Sequence, residues 1–125
     1  MNNNQAIKEV IRLILPFPPS VNGLYSGKAR RFKSKLYVAW IALAKQALLY
    51  QEVHNLPDFG RVPLEVHYVF GKPDKRGRDV ENYCKAVSDF LVDNAIIVDD
   101  SYIQRMVLEW GEVDGVEITI SEWRR

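Results

Sequence analysis

Val62-Pro-Leu-Glu-Val-His-Tyr-Val-Phe70, with the loop and helix that follow it, decides the architecture. Val62, Leu64, Val66, Tyr68 and Phe70 alternate with Pro63, Glu65, His67 and Val69, the period-two pattern of a strand with one buried face. Gly71-Lys-Pro-Asp-Lys-Arg-Gly-Arg78 reads as a loop. From about Asp79 to Asp93 the residues Tyr83, Val87, Phe90 and Leu91 fall at helical spacing, which predicts a helix.

Working outward, the flanks supply the rest of a layered domain. Upstream, Ile11-Arg-Leu-Ile-Leu15 is a short apolar strand stopped by Pro16, Pro18 and Pro19. The segment from Ser20 to Lys33, with Gly23 and Gly27, reads as a loop. Ser34 is a helix N-cap. Beyond it, Leu36, Trp40, Leu43 and Ala47 form one row and Tyr37, Ile41, Ala44 and Leu48 a second, giving a broad apolar face on a helix to about residue 53, ended by Pro57 and Gly60. Downstream, Ala95-Ile-Ile-Val98 is apolar and closes on Asp99-Asp100. A strand over about 102–112, the turn Asp114-Gly115, and the alternation of Val116, Ile118 and Ile120 with Glu117, Thr119 and Ser121 predict a C-terminal hairpin. The predicted order is β-α-β-α-β-β: a single α+β domain over residues 1–125, two helices packed on a mixed four-stranded sheet.

A chain of 125 residues has room for one core. With 47% apolar and 26% charged residues it is globular rather than disordered. Its apolar runs, such as Val38 to Ala44, fall far short of the roughly 20 residues of a membrane span. Met1-Asn-Asn-Asn-Gln5 lacks the basic start and apolar run of a signal peptide, and Cys84, the only cysteine, has no disulfide partner within the chain. A soluble cytoplasmic protein with no membrane partner is expected.

Net charge is near zero, 17 basic against 16 acidic side chains, but its distribution is uneven. Lys28, Arg30, Arg31, Lys33 and Lys35 fall in one window, and Lys72, Lys75, Arg76 and Arg78 in another, with Asp74 the only acid in either. Such loops form a local phosphate-binding surface or merely keep a protein soluble, and charge alone does not separate the two.

The residues that could carry chemistry start where the second basic loop enters its helix. Asp79, Glu81 and Asn82 lie in the first turn, where an acid caps the helix and complements its dipole, and Glu81 with Lys85 is an ordinary i, i+4 pair. Those roles account for the acids without any catalysis. Asp99-Asp100 shifts the balance, because adjacent carboxylates after an apolar run repel each other unless something neutralises them. A divalent cation does so: Mg²⁺, with Mn²⁺ as an alternative, takes hard oxygen ligands from a few carboxylates, water and phosphate. If the chain doubles back, Asp100 approaches Asp79 and Glu81, and the set suits phosphodiester cleavage by metal-activated water. Lys85 would then stabilise developing charge, and Lys72, Lys75, Arg76 and Arg78 would hold DNA phosphates. Other chemistries are poorly supported. His54 and His67 have no cysteine partners at zinc spacing, Cys84 is a lone mid-helix thiol, and no Walker-type loop or GxGxxG fingerprint is present. Trp40 and Tyr83 read as core.

These segments resemble the RusA family of Holliday junction resolvases. Leu15-Pro-Phe-Pro-Pro-Ser-Val-Asn22 is similar to the family's PxPPSxN opening. Pro73-Asp-Lys-Arg-Gly-Arg-Asp-Val-Glu-Asn82, with Lys85 and Asp89 after it, resembles its PD…RRDxDN…K…D signature, and Val98-Asp-Asp100 its xDD close. The resemblance implies metal-binding catalytic acids at Asp79, Glu81 and Asp100, with Lys85 as their basic partner; on charge, Lys28, Arg30, Arg31 and Lys33 of the first window would join the second in contacting DNA. It also implies a homodimer, bacterial or phage-encoded, that resolves four-way junctions by paired symmetric nicks in DNA recombination and repair. Glu81 departs from the family's usual aspartate, carrying its oxygens one methylene further. Three alternatives stand beside this one: a nuclease for branched or flapped DNA more broadly, a non-catalytic branched-DNA-binding module, and a plain α+β domain whose acids are helix caps.

Overall fold

The computed structural model describes residues 9–51 and 58–124. The N-terminal five residues, His54 and Pro57 lie outside them. Four strands form the main sheet: β1 (Val10–Leu15), β4 (Leu64–Phe70), β5 (Ile103–Trp110) and β6 (Val116–Glu122). Two helices, α1 (Lys35–Tyr50) and α2 (Cys84–Asp93), complete the α+β frame, and β2 (Tyr25–Ser26) pairs with β3 (Phe32–Lys33) as a small separate ribbon.

The alternation in β4 does what its pattern requires. Leu64, Val66, Tyr68 and Phe70 are buried, and they meet Ile11, Leu13 and Leu15 of β1 and Val116, Ile118 and Ile120 of β6 in one apolar layer. The other face is polar, with Glu65 paired to Arg105 at 2.7 Å and His67 Nε2 2.5 Å from Glu109. That pairing places His67 on the face expected for it.

Both helices lie on the apolar layer. The N-cap of α1 is Ser34, whose Oγ accepts the Tyr37 N–H at 3.1 Å. The core takes Tyr37, Trp40 and Ala44 from this helix and Ala86, Val87, Phe90 and Leu91 from α2, and Trp40 meets Phe90 edge to face at 5.6 Å. The expected apolar face of α1 is only partly used: Leu36 and Leu43 stay more than half exposed. The helix ends at Tyr50, short of residue 53. Next to it, Gln51 turns its side-chain amide onto the edge of β1 that no strand among the described residues pairs with, accepting from Ile14 N and donating to Ile14 O, both at 2.6 Å.

The C-terminal hairpin is not formed. The sheet order is β1-β6-β4-β5, with β5 parallel to β4 and β6 antiparallel to both β1 and β4. The Asp114-Gly115 turn signal is local, whereas partner choice depends on which strand needs two neighbours. Val116, Ile118 and Ile120 are fully buried, so β6 belongs in the centre; Gln104, Arg105 and Met106 leave β5 fit for an edge. The chain leaving β5 therefore crosses the end of β4. Gly111 N donates to Phe70 O at 2.9 Å and Gly71 N to Gly115 O at 2.8 Å. The crossing is so close that a Cβ on Gly71 would sit 1.6 Å from Val113 O.

The second helix also starts later than Asp79. Val80–Tyr83 is a 3-10 turn, closed by Asn82 N donating to Asp79 O at 3.1 Å, and the α-helical bonds begin at Cys84. At the other end, Ala95 N bonds Val92 O and Ile96 N bonds Leu91 O, with Ala95 at φ 57. This reversal returns the chain so that the next 3-10 turn, Asp100–Tyr102, packs against α2.

Candidate active site

Of the two adjacent acids at the end of that return, only one is left over. Asp99 is the N-cap of the turn, its carboxylate accepting from Ser101 N at 3.1 Å and from the Ser101 hydroxyl, and these bonds hold its carboxyl below the ordinary range. Asp100 is exposed, and its charge reaches Lys85 and the Tyr68 hydroxyl. The Tyr68 phenol lies in the core, shares a hydrogen bond of 2.9 Å with Ser88, and is raised above its usual value chiefly by burial.

Asp79 occupies the N-cap position of its 3-10 turn but makes no capping bond with its side chain. The cap role that explains so many helix-start aspartates is not exercised here. Its carboxylate and that of Glu81 are exposed. Lys85 does not pair with Glu81. Its Nζ donates to Asp89, at 3.1 Å to the nearer oxygen, and this hydrogen bond is the main reason its ammonium titrates above the usual lysine value. Lys85, Asp89 and Asp100 are thus brought into one electrostatic neighbourhood, with Asp79 and Glu81 on the preceding turn. Among the described residues no three His, Cys, Asp or Glu side chains already enclose a metal position. The donor set is nonetheless of the right kind: exposed hard oxygens, one freed by Asp99 and one by an unused cap. A cation that completes its shell with water and phosphate oxygens needs only one or two of them preassembled.

The basic windows border these acids. The ribbon β2–β3 carries Lys28, Arg30, Arg31 and Lys33, all exposed, and Arg31 lies over the Tyr25 ring at 5.2 Å. Ser34 ties α1 to the turn that precedes the ribbon, its hydroxyl donating to Gly23 O at 2.6 Å, and Tyr25 contributes to the raised Lys85 value. The turn Val21–Gly23 packs on α2 and on the turn Val80–Tyr83. In the second window Lys72 and Lys75 are exposed, with Lys72 over the Trp110 ring at 5.4 Å. Arg76 and Arg78 both bind Asp74. Arg76 projects outward with its side chain 77% exposed, whereas that of Arg78 is only 12% exposed, so Arg78 is the more firmly held of the two. Asp74 is driven well below the carboxylate range by the Arg78 hydrogen bond first and then by Arg76.

The family model described as endodeoxyribonuclease RusA matches residues 16–121. The chain belongs to the RusA family. No curated protein matches it. The RusA match begins at the proline-rich turn after β1 and runs into the last strand, so it contains both basic windows and all four candidate site residues. Two acids of the quoted signature that were not singled out there engage these residues on this RusA domain: Asp89 pairs with Lys85, and Asp74 with Arg76 and Arg78. Cys84 is half-buried and donates to Glu81 O at 3.2 Å, a packing role. Tyr83 is half-buried, packed against the core in an aromatic cluster with Phe17, Phe70 and Trp110. No helix among the described residues is long and apolar enough to cross a membrane.

Proposed function

We propose that this RusA endodeoxyribonuclease is a Mg²⁺-dependent, structure-selective enzyme that resolves Holliday junctions by paired symmetric nicks, working in the cytoplasm in DNA recombination and repair. The observation that carries the proposal is Asp100, exposed and left free by the capping of Asp99, on a turn packed against the helix that carries Lys85. Asp79, Glu81 and Asp100 would hold the metal, Mn²⁺ serving as a substitute. When bound, the metal supplies an activated water and counter-charge at the scissile phosphate. The Lys85 ammonium, kept protonated by Asp89, offsets charge that develops on the phosphate oxygens. Lys28, Arg30, Arg31 and Lys33 on one side, and Lys72, Lys75 and Arg76 on the other, hold the DNA backbone in register.

The assay is a labelled four-way junction beside a linear duplex, with Mg²⁺ or chelator. Paired nicks that require the metal are expected. Junction binding without cleavage in any divalent metal would leave a binding module in place of the enzyme. Junction affinity in chelator should fall about a thousand-fold between 50 and 200 mM salt if some six phosphates are neutralised. A flat salt response would remove the basic windows from the interface.

Two symmetric nicks call for two sites related by a two-fold axis, hence a homodimer. Supporting it, Leu36, Leu43 and Tyr50 recur every seven residues along α1 and are 62%, 55% and 77% exposed. Leu43, Tyr50, Ile14 and Phe17 line a groove of about 470 Å³ beside them. Leu43→Glu is expected to yield a monomer by light scattering and to uncouple the two nicks. A variant that remains dimeric would move the interface elsewhere.

A further inference from the structure

One carboxylate in the second basic window holds two arginines at once. Asp74 Oδ1 accepts the Arg76 backbone N–H at 3.0 Å, Oδ2 accepts Arg76 Nε at 3.2 Å and Arg78 Nη2 at 3.0 Å, and Arg78 Nη1 closes a fork on Oδ1. A two-pronged carboxylate–guanidinium contact fixes orientation as well as distance. Arg78 also lines one cleft with Tyr83, and Tyr83 is anchored by its ring 4.9 Å from Phe17 and 6.0 Å from Trp110. The Asp74 fork thus fixes Arg78 where the loop meets the half-buried Tyr83. The residue after Arg78 is Asp79, whose side chain makes no capping bond of its own. Its placement therefore depends on how firmly its neighbour is held. Arg76, Gly77, Arg78 and Tyr83 also frame a polar cleft of about 260 Å³ at this point.

We infer that Asp74 is a positioning residue for the nuclease site: acting through Arg78, it sets the Asp79 carboxylate. This rests on the junction-cutting function proposed above. A surface acid that merely balanced charge would weaken phosphate binding by its presence, and its removal would help. A clamp behaves differently, because removing it adds net positive charge to the loop while loosening Asp79. Binding and cleavage should then separate.

The experiment compares Asp74→Asn, Asp74→Glu, Arg78→Ala and the Asp74→Asn/Arg78→Ala double variant. For Asp74→Asn, kcat on the four-way junction should drop about 10- to 100-fold. Junction Kd in chelator should not weaken, and tryptic cleavage after Lys75 and Arg76 should accelerate. Asp74→Glu should restore part of kcat, and the double variant should be no slower than Arg78→Ala alone. Wild-type kcat and tryptic rate in Asp74→Asn would overturn the clamp. So would losses that multiply in the double variant, or a kcat loss wholly explained by weaker binding. A wild-type protein that fails to cut junctions would refute the proposed function instead, and the tryptic rates would still decide whether Asp74 holds the loop.

Discussion

Asp100→Asn is expected to reduce junction cleavage in Mg²⁺ by about a thousand-fold or more, roughly 4 kcal/mol of transition-state stabilisation. Asparagine keeps the size of the side chain and removes the charge that a cation requires, so the fold has no reason to respond. Junction binding in chelator should be kept or slightly strengthened, since a negative group beside the phosphates is gone. Asp79→Asn should behave alike. The informative contrast is Asp99→Asn, one residue away. Its carboxylate is engaged by Ser101, so the expected cost is a looser turn, below about 1 kcal/mol in stability and below about 10-fold in rate. A protein that loses activity with Asp99→Asn and keeps it with Asp100→Asn would reverse the assignment within the pair.

Gly71→Ala is expected to destabilise the fold by about 3 kcal/mol or more, a large share of the 5–15 kcal/mol typical of a domain. The added methyl would meet Val113 O at 1.6 Å, and that atom is backbone, held by the crossing of β4. Relief would require the strand connection itself to shift. Gly77→Ala, whose Cβ would meet nothing within 4 Å, should change stability by less than about 0.5 kcal/mol. Urea unfolding of both variants against the parent measures the difference. Equal stabilities for Gly71→Ala and the parent would contradict the sheet order, because in a C-terminal hairpin nothing passes over the end of β4.

What was legible in the sequence follows the range over which each signal acts. The alternation of Leu64 to Phe70 and the Ser34 cap are decided within a few residues, and both formed as written. Asp114-Gly115 is equally local and misled, because β6 was claimed by β1 and β4, strands distant in the chain. The acids look alike in the sequence and differ in the structure. Which member of Asp99-Asp100 is free depends on the Ser101 hydroxyl, and which acid takes Lys85 depends on where the 3-10 turn gives way to α-helix. Had α-helix begun at Asp79, Glu81 would have faced Lys85 one turn on; the tighter turn rotates it away and leaves Asp89 as the partner.

The amide of Gln51 seated on Ile14 has a bearing on how copies of this chain can meet. An open strand edge invites another strand to extend the sheet, and extension has no natural stopping point. On β1 the Ile14 position is occupied by a side chain that imitates the backbone and then ends. Copies approaching along this side must recognise one another through side chains, whose fit is particular and closes on itself. An edge blocked in this way favours a closed pair of copies over an open row.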